Sequence, residues 1–288
     1  MAVLFQLKLD QSIVDCGMSY VLQLDSGRFF LIDGGYFTPG EAERLYRFLC
    51  EHAKGKPVID SWFFSHAHQD HIGVFLDMME THRDDLVIGR LIYNFQPLPL
   101  PETSDGWRQT ENDLATVKRF YEVADRYCAG VPTITPHTGD SWQTDEISFQ
   151  VLYTHEDLDV QSTFNDHSTV LRAETAGWSL LFLGDLYKEG SRILLNTCPE
   201  KLKCDIVQVA HHGFAGATRE LYRATEARYA LWPSTEENIA DNITREANDY
   251  LLHHSGVQRH LIGGNGTIRL VFPPRNETGD NLEISPVV

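Results

Sequence analysis

Ser65-His66-Ala67-His68-Gln69-Asp70-His71 follows directly on the apolar run Val58-Ile59-Asp60-Ser61-Trp62-Phe63-Phe64. That run is rich in β-branched and aromatic residues and predicts a buried strand. Four side chains able to ligate a metal (His66, His68, Asp70 and His71) then fall close together, on what reads as a tight loop leaving the strand. Such a loop turns His66 and His68 to one side and Asp70 and His71 to the other. Two imidazoles at one centre, with a carboxylate and an imidazole at a second, suit paired divalent ions of borderline softness such as zinc, with manganese or iron as alternatives. A polar turn with clustered histidines competes with this reading. It accounts for one His-x-His, but poorly for His-x-His-x-Asp-His at a strand exit.

Upstream, residues 3–9, 19–24 and 28–33 predict strands, the last ending at Asp33-Gly34-Gly35, where the backbone turns freely. Thr38-Pro39-Gly40-Glu41 is a capping-box signal with Pro at the first helical position, and Ala42, Leu45 and Leu49 mark one face of a helix reaching His52. Downstream, 72–82 predicts a helix and 86–93 a strand. Between 95 and 130 the character changes. Pro97, Pro99 and Pro101 give an extended segment, after which Leu114, Val117, Tyr121 and Ala124 recur at helical spacing. This stretch reads as an insertion, either a lid or wall over a site or a helix with only a packing role. Trp107, Tyr121 and Tyr127 are its candidate selectivity residues. Strand-type segments return at 147–153, 168–174, 178–184 and 204–210, then near 228–232, 257–262 and 267–272, with helices near 217–226 and 242–254. The expected architecture is an α/β sandwich of αββα type, two mixed sheets packed face to face with helices outside, in one domain spanning 1–288.

A two-metal site needs a shared anion and ligands from several strand ends. Asp185 ends the run Leu180-Leu181-Phe182-Leu183-Gly184 and is expected to be the shared oxygen ligand, a plain strand-ending turn being the alternative. His211 and His212 follow Asp205-Ile206-Val207-Gln208-Val209-Ala210 and precede Gly213. One of the pair is expected to complete the second centre with Asp70 and His71. His211 is taken as that ligand and His212 as the donor of a proton to the leaving group. Asp33 is expected to orient a ligand histidine or the loop. Asn165-Asp166-His167-Ser168 precedes the strand Thr169-Val170-Leu171-Arg172, and any of its first three residues could face the metal held by His66 and His68. Ligand chemistry favours Asp166 or His167 over the neutral amide.

The ordered set Asp33-Gly34-Gly35, His66 to His71, Asn165 to Ser168, Gly184-Asp185 and His211-His212-Gly213 resembles the ComEC-type, phosphorylcholine-esterase-like branch of the metallo-β-lactamase superfamily. Gly263-Gly264-Asn265-Gly266-Thr267-Ile268-Arg269-Leu270 is similar to that branch's closing Asn-Gly-Thr-Ile strand. The chain departs from the pattern at Asn165-Asp166-His167, where many members have a clear histidine, and at Phe214, where the branch commonly has serine. The resemblance implies a binuclear metal-dependent hydrolase acting on a phosphodiester, with water activated by the metals as nucleophile. A lactonase or thioesterase using the same residues is the alternative, and a non-catalytic binding module a weaker one. A di-iron redox centre fits poorly, because position 68 is His where such sites resemble His-x-Glu-x-Asp.

Composition narrows the partners. The formal net charge of −17 argues against a surface that tracks long nucleic acids, whose binding rests on neutralising phosphates. A small-molecule phosphodiester is the expected substrate. No run of about 18 apolar residues predicts a membrane span. The five cysteines are scattered without Cys-x-x-Cys, and the first ten residues alternate like a strand rather than a signal peptide. A cytoplasmic location is the expectation.

Overall fold

The computed structural model describes residues 1–8, 17–38, 40–98, 111–160, 162–272 and 282–285. Trp107, Pro99, Pro101 and Pro39 lie outside them. Among the described residues the first sheet contains β1 (Val3–Gln6), β2 (Ser19–Gln23), β3 (Phe29–Asp33), β4 (Val58–Phe64), β5 (Val87–Ile88), β6 (Leu91–Tyr93), β7 (Thr133–Ile134), β15 (Thr267–Val271) and β16 (Leu282–Ser285). Their order is β16-β15-β1-β2-β3-β4-β6-β7, with β5 also against β4. The second sheet runs β14-β13-β12-β11-β10-β9-β8. Its strands are β8 (Ser141–Thr144), β9 (Ile147–Tyr153), β10 (Val170–Thr175), β11 (Trp178–Phe182), β12 (Ile206–Gln208), β13 (Tyr229–Trp232) and β14 (Arg259–Ile262).

The period of two along each strand sorts side chains into layers. In β4, Trp62 and Phe64 join the core beneath the helices, while Phe63 points between the sheets. Phe29 and Leu31 divide from Phe30 and Ile32 in the same way. In the second sheet Leu180 and Phe182 face the inter-sheet core, and Leu181 and Leu183 the outer one. Helices α1 (Glu41–His52), α2 (Gln69–Thr81) and α3 (Glu111–Tyr127) cover the first sheet through Leu45, Leu49, Phe75, Met79 and Phe120. The second is covered by α4 (Lys188–Thr197), α5 (Arg219–Thr225), α6 (Glu236–Asp241) and α7 (Glu246–Asp249). This is the αββα sandwich expected from the sequence.

Four local readings change. Helix α2 starts at Gln69 with His68 as its N-cap, so Asp70 and His71 sit in a first helical turn rather than in a loop. Helix α1 is capped by Gly40 in the left-handed conformation (φ 93°), not by the Thr38 side chain, whose buried Oγ1 finds no partner. The strand expected over 86–93 is broken at Gly89, where a Cβ would stand 2.5 Å from the Asp60 carbonyl oxygen. The edge strands β7 and β8 carry mostly exposed or half-exposed side chains, so they gave no apolar signal. Within the 95–130 segment, α3 packs closely. Phe120 meets Phe64, Phe75, Tyr93 and Phe95 with ring centroids 4.9–5.3 Å apart.

Strands β3, β4 and β6 are parallel, as are β11, β12 and β13. Their C-terminal ends therefore lie side by side in each sheet, the usual place for function in an open sheet of this kind. Asp33, the Ser65–His71 stretch, Asp185 and His211–His212 all emerge there.

Candidate metal centre

Asp185 stands two residues beyond Leu183, behind Gly184. The left-handed conformation at Gly184 (φ 58°) and its approach to the Ser168 and Ser65 side chains leave no room for a Cβ. Its backbone N–H donates to Ser168 Oγ at 2.9 Å, which aims the buried carboxylate between two sets of ligands. Oδ1 lies 3.1 Å from His71 Nε2 and 3.5 Å from His212 Nε2, while Oδ2 lies 3.7 Å from His66 Nε2. Asp70 Oδ2 closes the second set, 3.1 Å from His212 Nε2 and 3.9 Å from His71 Nε2. The first set pairs His66 Nε2 with His68 Nδ1 at 2.9 Å. Among the described residues, Asp70–His71–Asp185–His212 and His66–His68–Asp185 are groups whose ligand atoms lie within 4.8 Å of one another.

The backs of these rings are held by acceptors. Asp33 Oδ2 takes His71 Nδ1 at 2.9 Å, and Asp33 is itself fixed by the Ser65 N–H and Oγ, each at 2.8 Å. The Pro233 carbonyl can only accept, so the 3.1 Å contact makes His212 Nδ1 the donor and turns its Nε2 toward the group. Buried atoms normally find partners. Here His71 Nε2, Asp185 Oδ1 and His212 Nε2 are buried and make no hydrogen bond. A divalent ion fits this donor set of imidazoles and carboxylates. Three of the non-glycine residues at positive φ also lie here, namely Asp33 (56°), His211 (49°) and His212 (53°). Residues in such sparsely populated backbone conformations cluster at functional sites.

The electrostatics divide the two groups. Burial drives His66 well below the ordinary imidazole range, with His71 and His68 adding to it, and burial also lowers His68. Burial opposes charge on His71 too, but Asp185, Asp33 and Asp70 push it up to about 10. His212 is likewise raised well above its usual value against burial, by Asp185 and Asp70. Burial raises the Asp70 and Asp185 carboxyls, yet the neighbouring histidines hold both well below the carboxylate range. An ion held by the second group would therefore compete with protons for the same atoms.

Two individual residues are placed differently from the expectation. His212, not His211, enters the second group. His211 is part-exposed, its Nδ1 donates to the Ala215 carbonyl, and its Nε2 lies 3.9 Å from Asp185 Oδ2. Asp166 is turned away from the first group. Its Oδ1 accepts from the Tyr187 and Gly190 N–H groups at 2.9 Å each, and its Oδ2 from Ser162 Oγ. These bonds clamp the start of α4. His167 lies beside Phe164 and His155, and the structure does not bring it into either group. With His66, Ala67, Phe95, Gln96, Val117 and Phe164 it lines a small cavity. Its Nδ1 and the Asn165 Oδ1 are buried without partners. Pro233 and Gln208 escaped the sequence reading. Gln208 takes the Leu183 N–H and donates to the Gly184 carbonyl, so it sets the Asp185 turn, and no local pattern announces that.

Comparison with known proteins places the fold and the family. The chain is 29% identical over 224 residues to ComE operon protein 3 of Bacillus subtilis (strain 168), covering 77% of this chain and 26% of that protein. It thus spans about a quarter of that relative's length. In three dimensions it resembles the metallo-beta-lactamase fold protein YhfI from Bacillus subtilis (TM-score 0.53, 12% identity, 91% of this chain and 96% of that one). It also resembles the CmlA beta-hydroxylase E377D mutant (TM-score 0.54, 14% identity, 93% of this chain and 53% of that one). The family model for the metallo-beta-lactamase superfamily matches residues 15–231, from before β2 into β13 and across every candidate ligand described above, and the chain belongs to that superfamily.

Proposed function

We propose that this protein is a metal-dependent hydrolase that holds two divalent ions, zinc foremost, and cleaves a small phosphodiester, with residues 1–288 acting as one unit. His66, His68 and Asp185 would hold one ion, and Asp70, His71, Asp185 and His212 the other. The observation that carries this reading is the division of one buried carboxylate: Asp185 offers Oδ2 toward His66 and Oδ1 toward His71 and His212. When bound, such a pair of ions lowers the pKa of water and stabilises charge developing on the attacked group.

The chain's own residues supply the remainder. Asp33 and the Pro233 carbonyl keep His71 and His212 in the tautomer that directs Nε2 inward. His211, anchored through Nδ1 beside Asp185, can carry a proton on Nε2 and hand it to the leaving oxygen. The net charge of −17 favours a small diester over long nucleic acid. Among the described residues no helix is long and apolar enough to cross a membrane.

The test joins metal content to a substrate panel. Wild type and His68→Ala are assayed with bis(p-nitrophenyl) phosphate, a lactone and a thioester. The expected result is about two ions per chain and diester cleavage that the substitution abolishes. Bound metal with only carbon esters cleaved would move the activity to a lactonase or thioesterase. No metal and no turnover would overturn the enzyme reading.

A further inference from the structure

The turn that carries His211 and His212 is costly by itself, since two consecutive non-glycine residues adopt left-handed backbone (φ 49° and 53°). Gly213 follows at φ 81° with its α-carbon against Trp232, where a Cβ would lie 3.0 Å from the indole. Something must hold this conformation, and three buried asparagines from the 238–248 segment do so. Asn238 Nδ2 donates to the His212 carbonyl at 3.1 Å and to Ser234 Oγ at 2.7 Å. Asn248 Nδ2 donates to the Gly213 carbonyl at 2.5 Å and to the Asn242 carbonyl at 3.1 Å. Asn242 Nδ2 ties the two together through the Asn238 carbonyl at 2.9 Å and Oδ1 at 3.0 Å. The Thr235 hydroxyl caps α6 by accepting the Asn238 N–H. Two successive carbonyls of the strained turn thus each take an amide from a separate asparagine. The third asparagine fixes the spacing of the other two.

We infer that Asn238, Asn242 and Asn248 are positioning residues that hold the His211–His212–Gly213 turn in its left-handed form and thereby keep His212 among the ligands of the second group. The inference rests on the metal reading given above. A side-chain amide suits the task because it donates without charge. A carboxylate at 248 would set an anion against the Gly213 carbonyl and remove the donor, while keeping almost the same shape.

The decisive experiment is a double-mutant cycle read by Zn2+ affinity, using competition with a chromophoric chelator. In a His68→Ala background the ion that remains sits in the Asp70–His71–Asp185–His212 group. There Asn248→Asp is expected to weaken Zn2+ binding about 10- to 100-fold, the usual effect of removing a partner that orients a ligand. In a His212→Ala background, where the residue being positioned has lost its imidazole, the same substitution is expected to leave the remaining affinity within about twofold. Leu202→Ala, a buried substitution in the outer core, supplies a destabilised control that should not reproduce the selective loss. Equal weakening in both backgrounds, the same loss in Leu202→Ala, or no loss at all would overturn the positioning role. If Asn248→Asp does not fold, Asn238→Ser, which shortens the donor to the His212 carbonyl, is carried through the same cycle. A wild-type protein that binds no ion would overturn the metal reading and this inference with it. Wild-type binding of two ions combined with an indifferent Asn248→Asp would overturn this inference alone.

Discussion

Asp33 places Oδ2 2.9 Å from Nδ1 of His71 across 38 residues of sequence, and both side chains are fully buried. The contact joins the end of β3 to the first turn of α2, and it sets which nitrogen of His71 faces the metal groups. Replacing the carboxylate with an amide keeps the volume and removes the charge. Asp33→Asn is expected to weaken divalent-ion binding about 10- to 100-fold, measured by chelator competition. Unchanged affinity would show that the contact serves folding only.

The pH dependence of metal binding follows from the same histidine. With His71 raised to about 10, the metal-free protein carries its proton at neutral pH. Loading an ion must release that proton, so apparent affinity should rise with pH between about 6 and 9. Calorimetry in buffers of different ionisation enthalpy reads the release directly. The stability sign is the opposite. A raised pKa stabilises the metal-free fold fully below the unfolded value near 6.5, and that contribution is lost as pH rises through about 10. Metal-free melting temperature should therefore fall over this window, while the loaded protein is spared.

Separate roles for the two adjacent histidines make a sharp comparison. His212→Ala is expected to lose the ion of the second group. His211→Ala is expected to retain both ions yet lose turnover by about 10²- to 10⁴-fold on a diester with a poor leaving group, and much less on a p-nitrophenyl ester that needs no proton. Metal analysis beside a leaving-group series checks both halves.

Asp166 clamps the start of α4 through the Tyr187 and Gly190 N–H groups. Asp166→Asn sets an amide against the Ser162 hydroxyl or against the Tyr187 and Gly190 N–H groups, so a loss of about 2–3 kcal/mol of stability is expected. Urea unfolding measures it. Metal content should stay at the wild-type value, an outcome a ligand role would not allow.

Phe120 tests the packing of α3. The ring is completely buried among Phe64, Phe75, Tyr93 and Phe95, and Phe120→Ala is expected to cost about 3–5 kcal/mol. A loss below about 1 kcal/mol in chemical denaturation would mean that α3 is a mobile cover instead.

Short-range patterns carried most of the architecture. The unbroken apolar run Trp62-Phe63-Phe64 marks a buried strand, whose two faces the structure assigns to separate cores, and His66, His68, Asp70 and His71 are candidate ligands whose spacing needs no distant partner to be recognised. Asp185 was visible for the same reason, as an acid at the end of an apolar run. Adjacent residues and multivalent polar groups were not decided this way. Whether His211 or His212 turns inward depends on a left-handed turn held by Pro233, Asn238 and Asn248, which lie 21 to 35 residues on. Whether Asp166 meets a metal or a helix depends on backbone amides at Tyr187 and Gly190, and on Ser162, all of which its carboxylate reaches only in the folded chain. Side-chain period and ligand type are properties of neighbouring residues, so the sequence determined the sandwich and its candidate ligands by itself. The direction of a polar side chain is set by the partners that satisfy it in the core, and those only the tertiary structure brings within reach.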